Sequence, residues 1–273
     1  MMRSLWTAAS GMTSQQLHVD NIAHNLSNVN TTGFKRERVE FKSLLYETLR
    51  RADLDPATWT GRPTNMQVGH GVRPSAISRM FTQGSLQRTD NMQDFGIEGT
   101  GFFTVQRTMD EIAFTRDGTF KLSPDEAGNL RLVTSSGYAV LGVGDEPIVI
   151  DAEISWSNVT VDDGGNFWHQ APGGVVEDLG MQMQIVQFPN VQGLEAVGNN
   201  LFMETVASGA AMLEADGDVV RFSRVIQGVL EMSNVQVAEE MVNMIVAHRA
   251  YDLASRAITT SDEMLQQANN LKR

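Results

Sequence analysis

Cysteine is missing from all 273 residues of the chain. Disulfides, thiol nucleophiles, zinc fingers and cysteine-ligated iron–sulfur clusters are therefore excluded. The absence suits a protein that changes compartment and must not cross-link on the way. Proline is scarce, 7 residues against 24 glycines, so turns are plentiful without a proline-rich linker. Positive charge is also short: 21 Lys and Arg face 33 Asp and Glu, for a net charge of −12 and a pI near 4.8. A general nucleic-acid binder needs a basic footprint, so no nucleic-acid partner is expected. No apolar run approaches the roughly 18–20 residues that cross a bilayer, so no membrane span is expected. The opening Met1-Met2-Arg3-Ser4-Leu5-Trp6 has neither the apolar stretch nor the small-residue cleavage site of a secretory leader, and none is expected. The length fits one large domain or two to three small ones.

The acidic surplus is local. Residues 1–50 carry a net +2 and residues 231–273 a net −2, whereas residues 51–230 carry −12. Near-neutral ends suit surfaces that pack against copies of themselves, and an acidic middle stays hydrated.

Both ends read as helices. From Ser4 to about Asn28 there is no proline, and Leu5, Met12, Val19 and Leu26 recur every seven residues, with Ala8, Gln15 and Ile22 as the companion line. Near the other end Val237, Met244, Tyr251, Ile258 and Leu265 repeat at the same interval, with Ala247, Ala254 and Ala268 as small partners. Between Met241 and Ala247, through Ile245, this second helix is apolar almost all round, a pattern of complete burial. Ser233 and Asn234 are good caps and predict its start there. Asn21, Asn25 and Asn28 lie on one flank of the first stripe. They are expected to meet neighbouring copies and fix register, or else to form a solvated polar face. Gly33 is positioned to end that helical segment with a positive φ, and Phe34 to anchor the turn.

The middle changes period. Leu130–Val133, Tyr138–Leu141, Ile148–Ile150, Val159–Val161 and Met181–Val186 are short, β-rich runs. Asp117-Gly118, Ser136-Gly137, Asp163-Gly164-Gly165-Asn166 and Pro172-Gly173-Gly174 punctuate them as turns. Such spacing without intervening helices predicts an antiparallel sandwich or barrel. Residues 52–90 read as an extended connector with little core. The expected fold is α+β: long terminal helices packed as an antiparallel coiled-coil-like pair, a central all-β domain and the connector. The expected segments are a core helix over 1–33, connector and β elements over 34–90, a β domain over 91–210, a returning β segment over 211–233 and a core helix over 234–273. Apolar surface left on the helix pair would be buried against further copies. Full burial of each Leu- or Met-sized side chain is worth about 1.5–3 kcal/mol. Contacts that do not close on themselves propagate as a helical filament.

Catalytic patterns are weak. Gly99-Thr100-Gly101 starts like a dinucleotide loop, but it lies among strands and position 104 is Thr, so it predicts a turn or bulge beside Phe102 and Phe103. The 5 histidines are scattered with no i, i+4 helical pair. Asp162, Asp163 and Asn166 flank two glycines without calcium-loop spacing, so a hairpin is expected. No cofactor, metal or catalytic residue is assigned.

Specific motifs resemble a known family. Arg3-Ser4-Leu5-Trp6-Thr7-Ala8-Ala9-Ser10-Gly11-Met12 and Asn21-Ile22-Ala23-His24-Asn25-Leu26-Ser27-Asn28-Val29-Asn30-Thr31-Thr32-Gly33-Phe34-Lys35 resemble the opening of bacterial flagellar rod and hook proteins. Ile97–Val105, Phe114-Thr115-Arg116-Asp117-Gly118-Thr119-Phe120, Gln227–Val235, Glu239–Val242 and Arg249-Ala250-Tyr251 resemble later segments of the same family. Gln67–Val72 and the length resemble the members that build the distal part of the rod. His24 departs from the Asn common there, and at a tightly packed position it would alter a local hydrogen bond. The resemblance implies a non-enzymatic subunit of the basal body, exported by the flagellar export apparatus and polymerised into a hollow periplasmic rod. It also implies, as partners, further copies, proximal rod proteins, the hook protein and the surrounding ring proteins. The alternatives are a proximal rod or hook-type axial protein, or a secreted carbohydrate-binding or adhesin module.

Overall fold

The computed structural model describes residues 2–54, 61–62, 64–108, 111–125, 128–151, 154–171, 175–217 and 222–270. The expected turn at Pro172-Gly173-Gly174 lies outside the described residues. The chain forms two compact units. The helical unit comprises Met1–Ser27, Glu37–Ser78 and Gln236–Arg273, and the β unit comprises Asn28–Arg36 and Arg79–Val235. The helical unit holds eleven basic and eleven acidic residues, the β unit ten and twenty-two. The whole net charge therefore resides in the β unit.

In the helical unit α1 spans Met2–Ser27 and α2 spans Val237–Asn270, and the two pack against each other. Strand Glu37–Ser43 pairs with Val72–Arg79, and Tyr46–Arg50 pairs antiparallel with Met66–Gly69. These ribbons have little core, as their composition implies: Leu45, Tyr46, Leu49, Met66 and Ile77 are all exposed. Helix α2 starts three residues after the expected Ser233-Asn234 cap. Asn234 instead gives its side chain to backbone of the β unit, and the first α2 turn is closed by Glu240 N–H donating to Gln236 O (3.0 Å). Glu239 and Glu240 then place negative charge where the helix dipole favours it.

The β unit is built on a ten-stranded sheet whose registered pairs are all antiparallel. Its central strand Phe102–Thr108 pairs with Glu111–Thr115, Ala139–Val140 and Ile185–Gln187. Alternation assigns the faces. Phe103, Val105, Ala113, Ile185 and Leu201 enter one core, while Phe102, Phe114, Val186 and Phe202 enter the other. Both faces are covered, so the first four residues of the central strand, Phe102–Val105, are all buried. The larger core also takes Val159 and Phe167 from a three-stranded sheet. The Met181–Val186 run is two strands, not one, since Val176–Gln182 and Ile185–Gln187 are separated where Met183 enters the core. Asp163–Asn166 makes the expected hairpin, with Gly165 at φ 81°. Gly99, at φ 135°, turns the chain into the central strand, beside which no dinucleotide-type helix follows.

Gly33 has φ +67° and its missing Cβ would lie 2.6 Å from Asp117 N and 2.7 Å from Arg116 C. Those are backbone atoms of a packed sheet and cannot yield cheaply. Gly11, inside α1, has nothing within 4 Å of a built Cβ. Gly33→Ala is expected to destabilise the protein by more than about 1 kcal/mol, and Gly11→Ala to stabilise it by up to about 1 kcal/mol. Thermal unfolding of the two variants measures the opposite signs.

Candidate functional site

The two helices are inverted relative to an ordinary amphipathic pair. The buried residues of α2 are Glu240, Ala247 and Ser261, and half-buried Ala254 continues the same seven-residue line. On α1 the buried residues are Ser14, Asn21, Ile22 and Asn25. On α2 small and polar side chains therefore occupy the inner line and large apolar ones lie outside it, while on α1 Ile22 joins Ser14, Asn21 and Asn25 inside. Trp6 is 75% exposed, Val242 60%, Val246 61% and Leu253 67%. Met241 and Ile245, expected to be buried, are exposed, as are Val237 and Leu265. Leu5, Met12, Val19, Leu26, Met244, Tyr251 and Ile258 are half-buried. Small inner residues let the backbones approach closely, which leaves the bulky ones beyond the reach of the partner helix.

The asparagine flank behaves differently from the sequence expectation. Asn25 is buried within its own chain: its Nδ2 donates to Glu37 O (2.8 Å) while its Oδ1 accepts from Glu37 N–H (2.9 Å). That two-way pair splices the start of strand Glu37–Ser43 onto α1. Nδ2 also lies 3.4 Å from Glu240 of α2, and Asn21 Nδ2 lies 3.4 Å from the Glu37 carboxylate. Asn28 belongs to the β unit and accepts from Thr31 Oγ1 (3.2 Å). Asn21 and Asn25 thus hold the chain to itself. A buried carboxamide matches a backbone N–H and C=O together, which no apolar residue does. His24 is not tightly packed either. Its side chain is half exposed, 3.5 Å from Glu37.

His18 stands beside this splice, edge-on to Phe41 at 5.7 Å. Burial holds its imidazole below the usual value, and the Glu240 carboxylate opposes that shift in part. The folded helical unit therefore binds a proton at His18 less readily than the unfolded chain does. Its contribution to stability is complete above the unfolded value of 6.5 and is lost as pH falls through that value toward the lower folded one. His18→Phe is expected to flatten the stability profile of the helical unit below pH 6.5, as measured by urea unfolding across pH.

A second centre lies in the β unit and was not assigned a role from sequence. The Glu231 carboxylate, fully buried, accepts from Lys35 Nζ (2.6 Å), Arg116 Nη1 (3.1 Å) and Gly84 N–H (2.9 Å). Lys35 also donates to Thr82 O (3.0 Å) and Arg116 to Gly99 O (2.6 Å). The Arg116 guanidinium sits 5.1 Å from the Phe102 ring centroid, a cation–π arrangement. Desolvation lowers the affinity of both Lys35 and Arg116 for their protons, and Glu231 opposes it in each case. Two cations share one contacting anion in a dry site, and carbonyls, an aromatic face and the longer-range attraction of the buried Glu214 carboxylate for Arg116 complete their stabilisation. The legible signal was that Lys35, Arg116 and Glu231 each sit in a different family-type motif among apolar and turn residues. Nothing in local spacing says that the three meet.

Among the described residues no group of three or more His, Asp and Glu could hold a metal ion, and no helix is long and apolar enough to cross a membrane. Family profiles match at three places: residues 5–35 match the flagella basal body rod protein family, 96–186 the flagellar hook protein FlgE/F/G D1 domain, and 226–271 the flagellar basal body rod FlgEFG protein C-terminal family. The chain is 48% identical over 275 residues to a flagellar basal-body rod protein FlgG of Borreliella burgdorferi, covering all of both chains. It is 38% identical over 276 residues to a Bacillus subtilis protein of the same description, again over the full length of both. To the flagellar hook-basal body complex protein FlhP of Bacillus subtilis it is 33% identical over 278 residues, with both chains fully covered.

Proposed function

The chain belongs to the flagellar basal-body rod family, and on that premise we propose that its copies polymerise through their helical ends into the distal part of a hollow shaft that transmits torque to the hook. It is a structural subunit of the basal-body rod. The subunit is exported by the flagellar export apparatus and assembles in the periplasm. Its neighbours are further copies, the proximal rod proteins, the hook protein and the rings around the shaft. The role is mechanical and asks no chemistry of the chain.

One observation carries this reading: helix α2 leaves Met241, Val242, Ile245, Val246 and Leu253 exposed while Glu240, Ala247 and Ser261 fill its inner line. A protein that stays alone gains nothing from that inversion, whereas a polymer buries the exposed set. The neutrality of the helical unit supports the same reading, because copies can approach through it without net repulsion. The helices act as an antiparallel coiled-coil-like pair, which is supported by the meeting of Asn25, near the end of α1, with Glu240, near the start of α2. In this reading the axial core is built from residues 1–33 and 234–273. The test is removal of residues 1–27 and 238–273 from the purified protein. The shortened chain is expected to remain monomeric at concentrations where the intact chain forms filaments. Loss of the gene is expected to leave cells without hooks and filaments. An adhesin-type module would keep its ligand binding after the truncation, and cells lacking it would still swim.

A further inference from the structure

The chain passes between its two units four times, at residues 27/28, 36/37, 78/79 and 235/236. Each passage is one covalent chain crossing; the one at 78/79 lies within strand Val72–Arg79, and the one at 36/37 opens its partner Glu37–Ser43. A torque-transmitting subunit needs those passages to move together. Within the β unit the three segments that feed them, 28–36, 79–84 and 231–235, are tied to one another by two side chains.

Asn234 is the first tie. Its Oδ1 accepts from Arg36 N–H (2.7 Å), and its Nδ2 faces Met80 O (2.8 Å), Thr82 O (3.1 Å) and Thr82 Oγ1 (2.9 Å). One carboxamide therefore joins all three segments. Glu231 is the second. Its backbone carbonyl accepts from Gly33 N–H (2.8 Å), and its carboxylate takes Lys35 and Gly84 N–H. Backbone bonds reinforce both, from Met80 N–H to Arg36 O (2.9 Å) and from Met232 N–H to Ser85 O (2.9 Å). The Gly84 position has no room for a side chain, since a Cβ there would lie 1.9 Å from Met232 O.

We infer that Asn234 and Glu231 form the mechanical root of the β unit, the point at which force arriving along the chain from the helices is divided among three segments. The inference rests on the rod reading. Force applied to α2 enters the β unit at Val235, so Asn234 meets it before any strand of the sheet does. If the carboxamide were absent, that force would pass to the short pairing of Val229–Glu231 with Leu86–Arg88, which would peel residue by residue. With it, the segments 28–36 and 79–84 share the load at once. An ordinary stability role would not depend on where the force is applied.

The absence of cysteine makes the test direct, because engineered cysteines can serve as unique handles on the full chain. One handle pair, K121C with R256C, pulls from α2 through the passage at Val235. The other, K121C with E195C, pulls across the ten-stranded sheet between its opposite edge strands Phe120–Pro124 and Glu195–Gly198, bypassing the root. In single-molecule force spectroscopy N234A is expected to raise the opening rate at fixed force by about tenfold or more for the first pair, since the hydrogen bonds lost each contribute modestly. For the second pair it should change the rate by less than about twofold. N234D, which retains an acceptor for Arg36 N–H and loses the donors to Met80 and Thr82, should behave as N234A does and guards against a variant that fails to fold. Equal shifts for both pairs would show that Asn234 only adds stability, and no shift for either would show that it carries no load. Both results overturn the inference. The measurement uses single molecules, so a chain that failed to polymerise would sink the rod reading and leave this result standing.

Discussion

Glu231→Leu is expected to destabilise the β unit by about 3–5 kcal/mol, which in a unit of this size corresponds to a fall in Tm of roughly 10–15 °C. The cause is charge counting in a dry site. Glu231 neutralises one of the two cations in contact with it, Lys35 and Arg116, whose side chains are 1% and 2% exposed. Its removal leaves two like charges without their contacting anion, only the more distant Glu214 still acting on Arg116, and strips Gly84 N–H of its acceptor. The loss is a large fraction of the roughly 5–15 kcal/mol that holds a typical domain together. Lys35→Met should be milder than Glu231→Leu, because it leaves the Glu231–Arg116 pair balanced. Replacing both Lys35 and Glu231 leaves Arg116 as the single charge and should recover less than replacing Lys35 alone. Thermal and urea unfolding of the three variants tests the order. If Lys35→Met proves as damaging as Glu231→Leu, the account by net charge is wrong and packing volume is the cause.

The second large effect concerns assembly and not folding. Val242 and Val246 stand one turn apart on α2 and are 60% and 61% exposed. Val242→Asp with Val246→Asp is expected to leave monomer stability within about 0.5 kcal/mol, as exposed substitutions ordinarily do. In a filament each position would be buried, forfeiting about 1.5–3 kcal/mol of apolar contact and adding the cost of desolvating a carboxylate. The critical concentration for polymerisation should therefore rise by at least roughly a hundredfold. Sedimentation of filaments from monomer across a concentration series gives that number directly. Unchanged filament formation by the double variant would remove the outward face of α2 from the assembly surface. The same substitutions on the inner line, at Ala247, should instead unfold the helical unit, because that position is 1% exposed.

The elements themselves were largely readable. The terminal helices follow from long proline-free segments with a seven-residue repeat, and the strands of the middle from short β-branched runs between turn glycines. Gly33 was identified from its position after the helix, and its φ of +67° bears that out. What the repeat did not reveal was which line faces inward. The apolar line Val237, Met244, Tyr251, Ile258, Leu265 was read as the seam, yet its ends are exposed, and the small line through Ala247 and Ser261 is the buried one. Periodicity reports that a helix has distinct faces; it does not say whether an apolar face is turned to the same chain or to the next. Asn25 was ambiguous for a related reason. A carboxamide beside an apolar stripe suits an intermolecular register contact and an intrachain backbone splice equally well, and only the proximity of Glu37 reveals the splice.

By itself the sequence determined the exclusion of cysteine chemistry, the helix–strand–helix order, the described glycine turns and the family. Those depend on composition and on contacts within a few residues, where one residue type is strongly preferred over others. Tertiary structure alone decided the inward and outward sides of the helices, the meeting of Lys35 and Arg116 with Glu231, and that of Arg36 with Asn234. Those partners are separated by as many as 198 residues, as from Arg36 to Asn234. Such pairings arise from the free energy of excluding water from the whole molecule, a quantity that no local window of amino acids contains.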